Sequence, residues 1–378
     1  MANLILHVGA GKCGSSSIQQ FYIRNQTVFQ ENVRLYRPPI AAVEAWAEGK
    51  SGEGGIGNWN SKKGTLIISQ EYFFRKYMAL PTVIAQLNTA AFGEKMIIGY
   101  CRRQSDYVVS AYGQWGFRHS GSLTGEEKRL KEHQLNPLFF TGSERHLINL
   151  VLLGDVASER RLKYKHITWQ RHFDEIKKIG EKNGFELKVG LLPNKVFSHN
   201  LILDFCEKAN LHILPEYEQR TTERYNVSYD KDIMEGMSSA VRLGYRELPV
   251  QTGGGHFERL SERFEKRKPV FDLQDALKAY IDTCYWEANQ AFCEAYQLNA
   301  DYFKPTQIWT KADIIELIRA EEEKRRADPE VLLEEYQHIA AKLASKNWDL
   351  INQVRAAEQK TPAFFIKKVK AKLRSFGW

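Results

Sequence analysis

The segment His7-Val-Gly9-Ala-Gly-Lys12-Cys-Gly14-Ser15-Ser16-Ser17 gathers the residues best suited to chemistry. Its glycines let the backbone approach an oxygen atom closely, and serine hydroxyls follow where a helix would begin. A glycine loop between a buried strand and a helix turns backbone N–H groups and the positive helix end toward an anion. The spacing therefore predicts a phosphate cradle made of Gly9, Ala10, Gly11, Lys12, Cys13, Gly14, Ser15, Ser16 and Ser17. It departs from the common nucleoside-triphosphate loop, which sets a lysine directly after its second glycine. Gly9 and Gly14 have that glycine spacing, but Ser15 follows and the lysine stands inside the loop at position 12. An ATP-using enzyme built this way lacks its usual lysine on the β- and γ-phosphates. The sequence also offers no apolar strand ending in an aspartate to hold magnesium.

The displaced-lysine loop resembles the 5′-phosphosulfate loop of P-loop sulfotransferases that use 3′-phosphoadenosine-5′-phosphosulfate (PAPS). Ile97-Ile-Gly-Tyr-Cys-Arg102 through Ser110-Ala-Tyr112 resembles the same family's 3′-phosphate element, an apolar strand, an arginine and then a serine in a helix. The resemblance implies that Arg102, a forked cation, and Ser110, a hydroxyl, bind the 3′-phosphate. It covers roughly residues 3–305 and extends to the bacterial, carbohydrate-type branch, which the chain resembles through Leu162–Trp169, Phe173, Leu201–Cys206, Asn226–Ser228 and Trp286–Asn289. It implies PAPS as donor co-substrate and a carbohydrate, polysaccharide or glycolipid acceptor; no metal is required, because Lys12 and the helix end supply positive charge, and with most of the net charge in the tail the near-neutral body speaks against a nucleic-acid partner. The R-K-G element with which cytosolic small-molecule sulfotransferases also grip the 3′-phosphate is missing, which speaks against a steroid or phenol acceptor.

Sulfuryl transfer builds charge on the bridging oxygen of the leaving nucleotide, and Lys12 is the cation placed to meet it. The acceptor hydroxyl needs a base. Glu71 follows the apolar run Thr65–Ser69 at the strand end, where open α/β sheets bind ligands, and the resemblance gives a glutamate in such a position that role. His7 and His119 are candidate acceptor-site residues, although a histidine at a strand end is more often structural. Arg103 fits either a phosphate contact or a surface cation, and the His166–His172 spacing suits no metal pair. Two rival readings remain: a P-loop kinase of a small hydroxylated substrate, and a binding module that keeps the nucleotide fold without turnover.

The elements that must carry these residues read as α/β, with a short parallel sheet flanked by helices in three layers. Leu4–Val8, Thr65–Ser69, Lys95–Cys101 and Glu186–Leu192 are buried-strand runs separated by helical patterns. Helices are expected around Ile18–Ile23, Asp106–Trp115, Tyr164–Ile179, Asn200–Ala209 (core positions Leu201, Leu203, Phe205 and Cys206) and Leu273–Tyr296. Gly49–Gly57 and Thr252–His256 read as loops. Residues 1–305 are expected to form the sulfotransferase-like domain and 306–378 a helical extension, with a cap at Thr310 and further helix starts at Asp328-Pro329 and Thr361-Pro362.

Composition narrows the classes further. The 378 residues are 43% hydrophobic and 26% charged, which excludes collagenous and largely disordered chains. Five scattered cysteines without a C-x-x-C pair fit a reducing compartment, and no secretion signal or membrane span is evident, so a cytoplasmic protein is expected. Much of the net charge of +8 sits in the acid-free tail 361–378, on Lys367, Lys368, Lys370, Lys372 and Arg374. Apolar residues 365, 366, 369, 373 and 376 recur there at helical spacing, which suits an anionic membrane surface, a dock on the body or on a second subunit, or a frayed end.

Overall fold

Runs of Leu and Ile that carry no polar face must be covered on both sides, and that requirement builds the sheet. The computed structural model describes residues 2–25, 27, 29, 32–50, 64–87, 92–113, 120–153, 168–194, 197–222 and 273–327. In chain order the elements are β1 (Ala2–His7), α1 (Ser15–Arg24), β2 (Val33–Tyr36), α2 (Ile40–Ala47), β3 (Thr65–Ser69), α3 (Tyr72–Arg75) and α4 (Leu80–Gln86). Then come β4 (Phe92–Cys101), α5 (Gln104–Tyr112), α6 (Ser120–Glu132), α7 (Gly142–Leu152), α8 (Trp169–Lys182), β5 (Glu186–Leu191), α9 (Leu201–Lys208), α10 (Leu273–Tyr296) and α11 (Lys311–Ala327). The chain divides into two compact units, each made of three separate stretches.

The first unit takes in Met1–Ala111, Leu147–Val227 and Asp272–Ile315. Its five strands are all parallel, in the order β2-β3-β1-β4-β5. Register places His7 beside Ser69 on one side and Ile98 on the other, so β1 and β3 end at one level while β4 continues past it to Cys101. Leu4, Ile5, Leu6, Ile67, Ile68, Ile97 and Ile98 are fully or almost fully buried. Helix α1 buries Ile18, Phe21 and Tyr22, and Tyr22 stacks on Phe29 at 4.9 Å. Helix α8 buries Trp169, Phe173 and Ile176, and Phe173 stacks on Phe292 of α10 at 5.8 Å. Each such side chain contributes about 1.5–3 kcal/mol by leaving water.

The structure departs from the sequence expectation in several places, helices α6 and α7 among them. Strand β2 and helix α2 were not anticipated, because Val33-Arg-Leu-Tyr36 is short and carries a charge, and α2 is announced only by Pro39. Leu203 is not a core residue: it is 39% exposed, and Ile202 is buried in its place. The phase is set by Asn200, whose side-chain oxygen accepts from the N–H groups of both Ile202 and Leu203. The Thr310 cap is present as a reciprocal pair, Asp313 N–H to Thr310 Oγ1 and Thr310 N–H to Asp313 Oδ2, each 3.2 Å.

The second unit takes in Tyr112–His146, Ser228–Phe271 and Glu316–Trp378. Its described part centres on Arg325, which forks onto both carboxylate oxygens of Glu144 at 2.9 Å and reaches the Phe139 carbonyl at 2.7 Å. His146 Nδ1 lies 2.6 Å from Glu126, and its ring stacks on Tyr112. Most of the Gly49–Gly57 loop, the Thr252–His256 loop, the helix starting at Asp328 and the tail 361–378 lie outside the described residues. Among the described residues, no helix is long and apolar enough to cross a membrane.

Candidate active site

The site is built where β1 runs out. Val8 still pairs with β4, its N–H donating to the Ile98 carbonyl at 2.9 Å, and the chain then turns, with Cys13 N–H donating to the Ala10 carbonyl at 3.0 Å. Lys12 takes a left-handed backbone, φ 69°, which a non-glycine residue adopts at some cost, and Gly14 follows at φ 88°. Gly14 is the N-cap of α1 and gives that helix start no side-chain cap. A side chain there would press on Leu201 and Leu192, its β-carbon 2.6 Å and 2.8 Å from their methyl groups. The first turn of α1, Ser15-Ser16-Ser17, thus presents helix-end N–H groups that Gly14 does not cap.

Two polar atoms of this loop, His7 Nε2 and Ser15 Oγ, are buried and have no hydrogen-bond partner among the described residues. They flank Gly9: a β-carbon at that position would come within 3.0 Å of the first and 2.5 Å of the second. Gly9 is therefore required by close approach, and the two atoms occupy the side where its side chain would project. A buried polar atom left unmatched costs about 1–3 kcal/mol, and native structures carry few of them.

His7 is held from behind. Its Nδ1 lies 2.7 Å from Ser69 Oγ, and Gln19 Nε2 donates to Ser69 Oγ at 3.0 Å and to the Ser69 carbonyl at 3.3 Å. Phe205 meets the imidazole edge-on at 5.3 Å. Burial lowers its pKa from 6.5 to about 3, so the ring is neutral at pH 7.

Glu71 and Arg102 come to the same loop. Burial pushes the Cys13 thiol up to about 12, with Arg102 pulling it down and Glu71 pushing it up, so both charges act on the loop's centre. Arg102 Nη1 donates to the Lys12 carbonyl at 3.4 Å. Glu71 precedes α3 but its side chain does not cap that helix, and among the described residues the carboxylate has no hydrogen-bond partner. Lys12 is half-buried in the same turn. The structure thus brings Lys12, Glu71 and Arg102 together.

Ser110 sits half-buried on α5 and makes no hydrogen bond to Arg102 or to the loop. Arg103 is structural: it donates to the Tyr302 carbonyl at 3.1 Å and 2.9 Å, to the Lys304 carbonyl at 3.1 Å, and lies 3.7 Å from Asp282. Ser105 also donates to Asp282, by its N–H and its hydroxyl, and Gln104 exchanges hydrogen bonds with Asn289 at 2.8 Å and 2.9 Å. These ties fix the start of α5, and Trp169 Nε1 holds the Arg102 carbonyl at 2.9 Å, so Arg102 is aimed by its neighbours. His119 and His166 lie outside the described residues, and His172 stacks on Phe74 at 5.0 Å.

Sequence reasoning missed Ser69 and Gln19. Strand register sets Ser69 beside His7, and the packing of α1 brings Gln19 to Ser69, so neither is joined to the loop by sequence proximity. Compared with family models, curated proteins and solved structures, the chain matches none of them.

Proposed function

We infer that this chain is a PAPS-dependent sulfotransferase of P-loop type acting on a carbohydrate, polysaccharide or glycolipid hydroxyl. The observation that carries the reading is the pair of orphaned atoms, His7 Nε2 and Ser15 Oγ, beside the uncapped start of α1 in a loop whose lysine is displaced to position 12. Both can donate and both border Gly9 in the loop, so the residues present fit a bound oxyanion. Residues 9–17 would hold the 5′-phosphosulfate, and Arg102 with Ser110 the 3′-phosphate. Bound PAPS supplies the sulfuryl group.

The remaining work falls to the chain's own side chains. Lys12 stabilises negative charge gathering on the bridging oxygen, and the α1 N-terminus adds partial positive charge. Glu71, with no competing hydrogen bond among the described residues, accepts the proton of the acceptor hydroxyl. Contact of the basic tail with an anionic membrane face belongs to the same proposal, and rests on its charge and spacing.

The test is transfer of labelled sulfur from PAPS to a panel of oligosaccharides and glycolipids. Glu71→Gln should lower turnover by about 10²–10⁴-fold and Lys12→Ala by about 10²–10³-fold, with Glu71→Gln still binding adenosine 3′,5′-bisphosphate. Label transfer that is unchanged in Glu71→Gln would remove the assigned base. Bisphosphate binding without transfer to any acceptor would favour a non-catalytic module.

A further inference from the structure

The Gln19–Ser69–His7 chain settles where the imidazole proton sits. Gln19 Nε2 faces the Ser69 carbonyl, which only accepts, so its amide orientation is fixed with the nitrogen toward Ser69. The same nitrogen donates to Ser69 Oγ. Ser69 has one hydroxyl proton, and His7 Nδ1 is the acceptor in reach among the described residues, at 2.7 Å. Were Nδ1 the protonated nitrogen, Ser69 Oγ would receive two donors and its own proton would be stranded in a site where Ser69 is fully buried. The arrangement that pairs every proton is Gln19 to Ser69, and Ser69 to His7 Nδ1. A neutral imidazole then carries its proton on Nε2, the atom left buried and unpartnered beside Gly9.

We propose that His7, locked as the Nε2–H tautomer by Ser69 and Gln19, donates a hydrogen bond to the oxyanion held in the loop of residues 9–17. This deepens the sulfotransferase reading and rests on it for the identity of the ligand, though not for the donor itself. The low pKa of His7 agrees with it, because a ring that stays neutral from pH 5 to 9 keeps one fixed donor across the working range. Ser69 and Gln19 are positioning residues; His7 is the one that touches the ligand.

The experiment is nitrogen-15 NMR of the full chain with labelled histidine, the His7 signals being assigned by their loss in His7→Gln. At pH 7 the expected spectrum shows a pyridine-like Nδ1 and a pyrrole-like Nε2, and adenosine 3′,5′-bisphosphate should move the Nε2–H proton downfield. Ser69→Ala should release the tautomer into a mixture while lowering bisphosphate affinity, and His7→Gln should weaken that affinity by about 10- to 100-fold, the range for a hydrogen bond to a charged group. An Nδ1–H tautomer in the wild type overturns the proposal. So does an unmoved Nε2–H signal when calorimetry shows the bisphosphate bound, and in that case the PAPS reading survives. If the bisphosphate does not bind but inorganic pyrophosphate moves the His7 signal, the PAPS reading fails and the His7 donor stands. Silence toward both anions overturns both.

Discussion

His7 shows how one side chain can tie stability to pH as well as to binding. Its folded pKa of about 3 lies below the ordinary 6.5, so between those values the unfolded chain binds more protons than the folded one. The stability it protects is complete above pH 6.5 and is lost as pH falls toward 3. The slope for one proton is about 1.4 kcal/mol per pH unit. Denaturant unfolding of the wild type and His7→Gln across pH 4–7 should therefore show the wild type losing stability faster on acidification, by up to that slope. Parallel pH profiles would mean that His7 charges freely in the fold. The loop around it was legible in sequence, because glycine spacing and a displaced lysine are local signals. The relay behind it was not, since Ser69 and Gln19 meet His7 only through strand pairing and the packing of α1.

Elements explain why adjacent arginines do different work. Arg102 leaves β4 toward the loop, whereas Arg103 turns back to the Tyr302 and Lys304 carbonyls and to Asp282. Burial pushes the Asp282 carboxyl up to about 7 even against the opposing pull of Arg103 and Ser105. A carboxyl raised in this way makes the fold lose stability as pH climbs from its ordinary 3.8 to about 7, and adds nothing further above that. Arg103→Ala removes the counter-charge and lifts the carboxyl higher, so the variant should go on losing stability above pH 7. The expected stability gap between wild type and Arg103→Ala is a few kcal/mol and widens from pH 6 to pH 8.5 in denaturant titrations. A gap that stays constant or narrows would show that Arg103 does not stabilise the Asp282 carboxylate. The strands that order these residues were readable where apolar runs were continuous, as in β1, β3 and β4. The edge strand β2 was hidden because Arg34 is exposed and Val33 is its one buried residue, which leaves too little pattern in four positions. Leu203 misled for the opposite reason: its type is apolar, but the Asn200 cap fixes a phase that turns it outward.

The whole molecule adds two tests that no single element offers. The tail sequence 361–378 carries five cations and apolar residues at helical spacing, and near an anionic surface each cation contributes about 1 kcal/mol of attraction. The full chain should co-sediment with phosphatidylserine-containing vesicles at low salt and leave them as salt rises, with Lys367→Glu and Lys370→Glu together abolishing the effect. Equal sedimentation with neutral vesicles would remove the electrostatic account of the tail. The choice of nucleotide is decided by calorimetric titration of wild type and Arg102→Ala with adenosine 3′,5′-bisphosphate, against ATP with magnesium. A PAPS-using enzyme should bind the bisphosphate tightly and ATP more weakly, and should lose roughly 10- to 100-fold in bisphosphate affinity when Arg102 is truncated. A preference for ATP, or bisphosphate affinity that Arg102→Ala leaves unchanged, would contradict the PAPS reading.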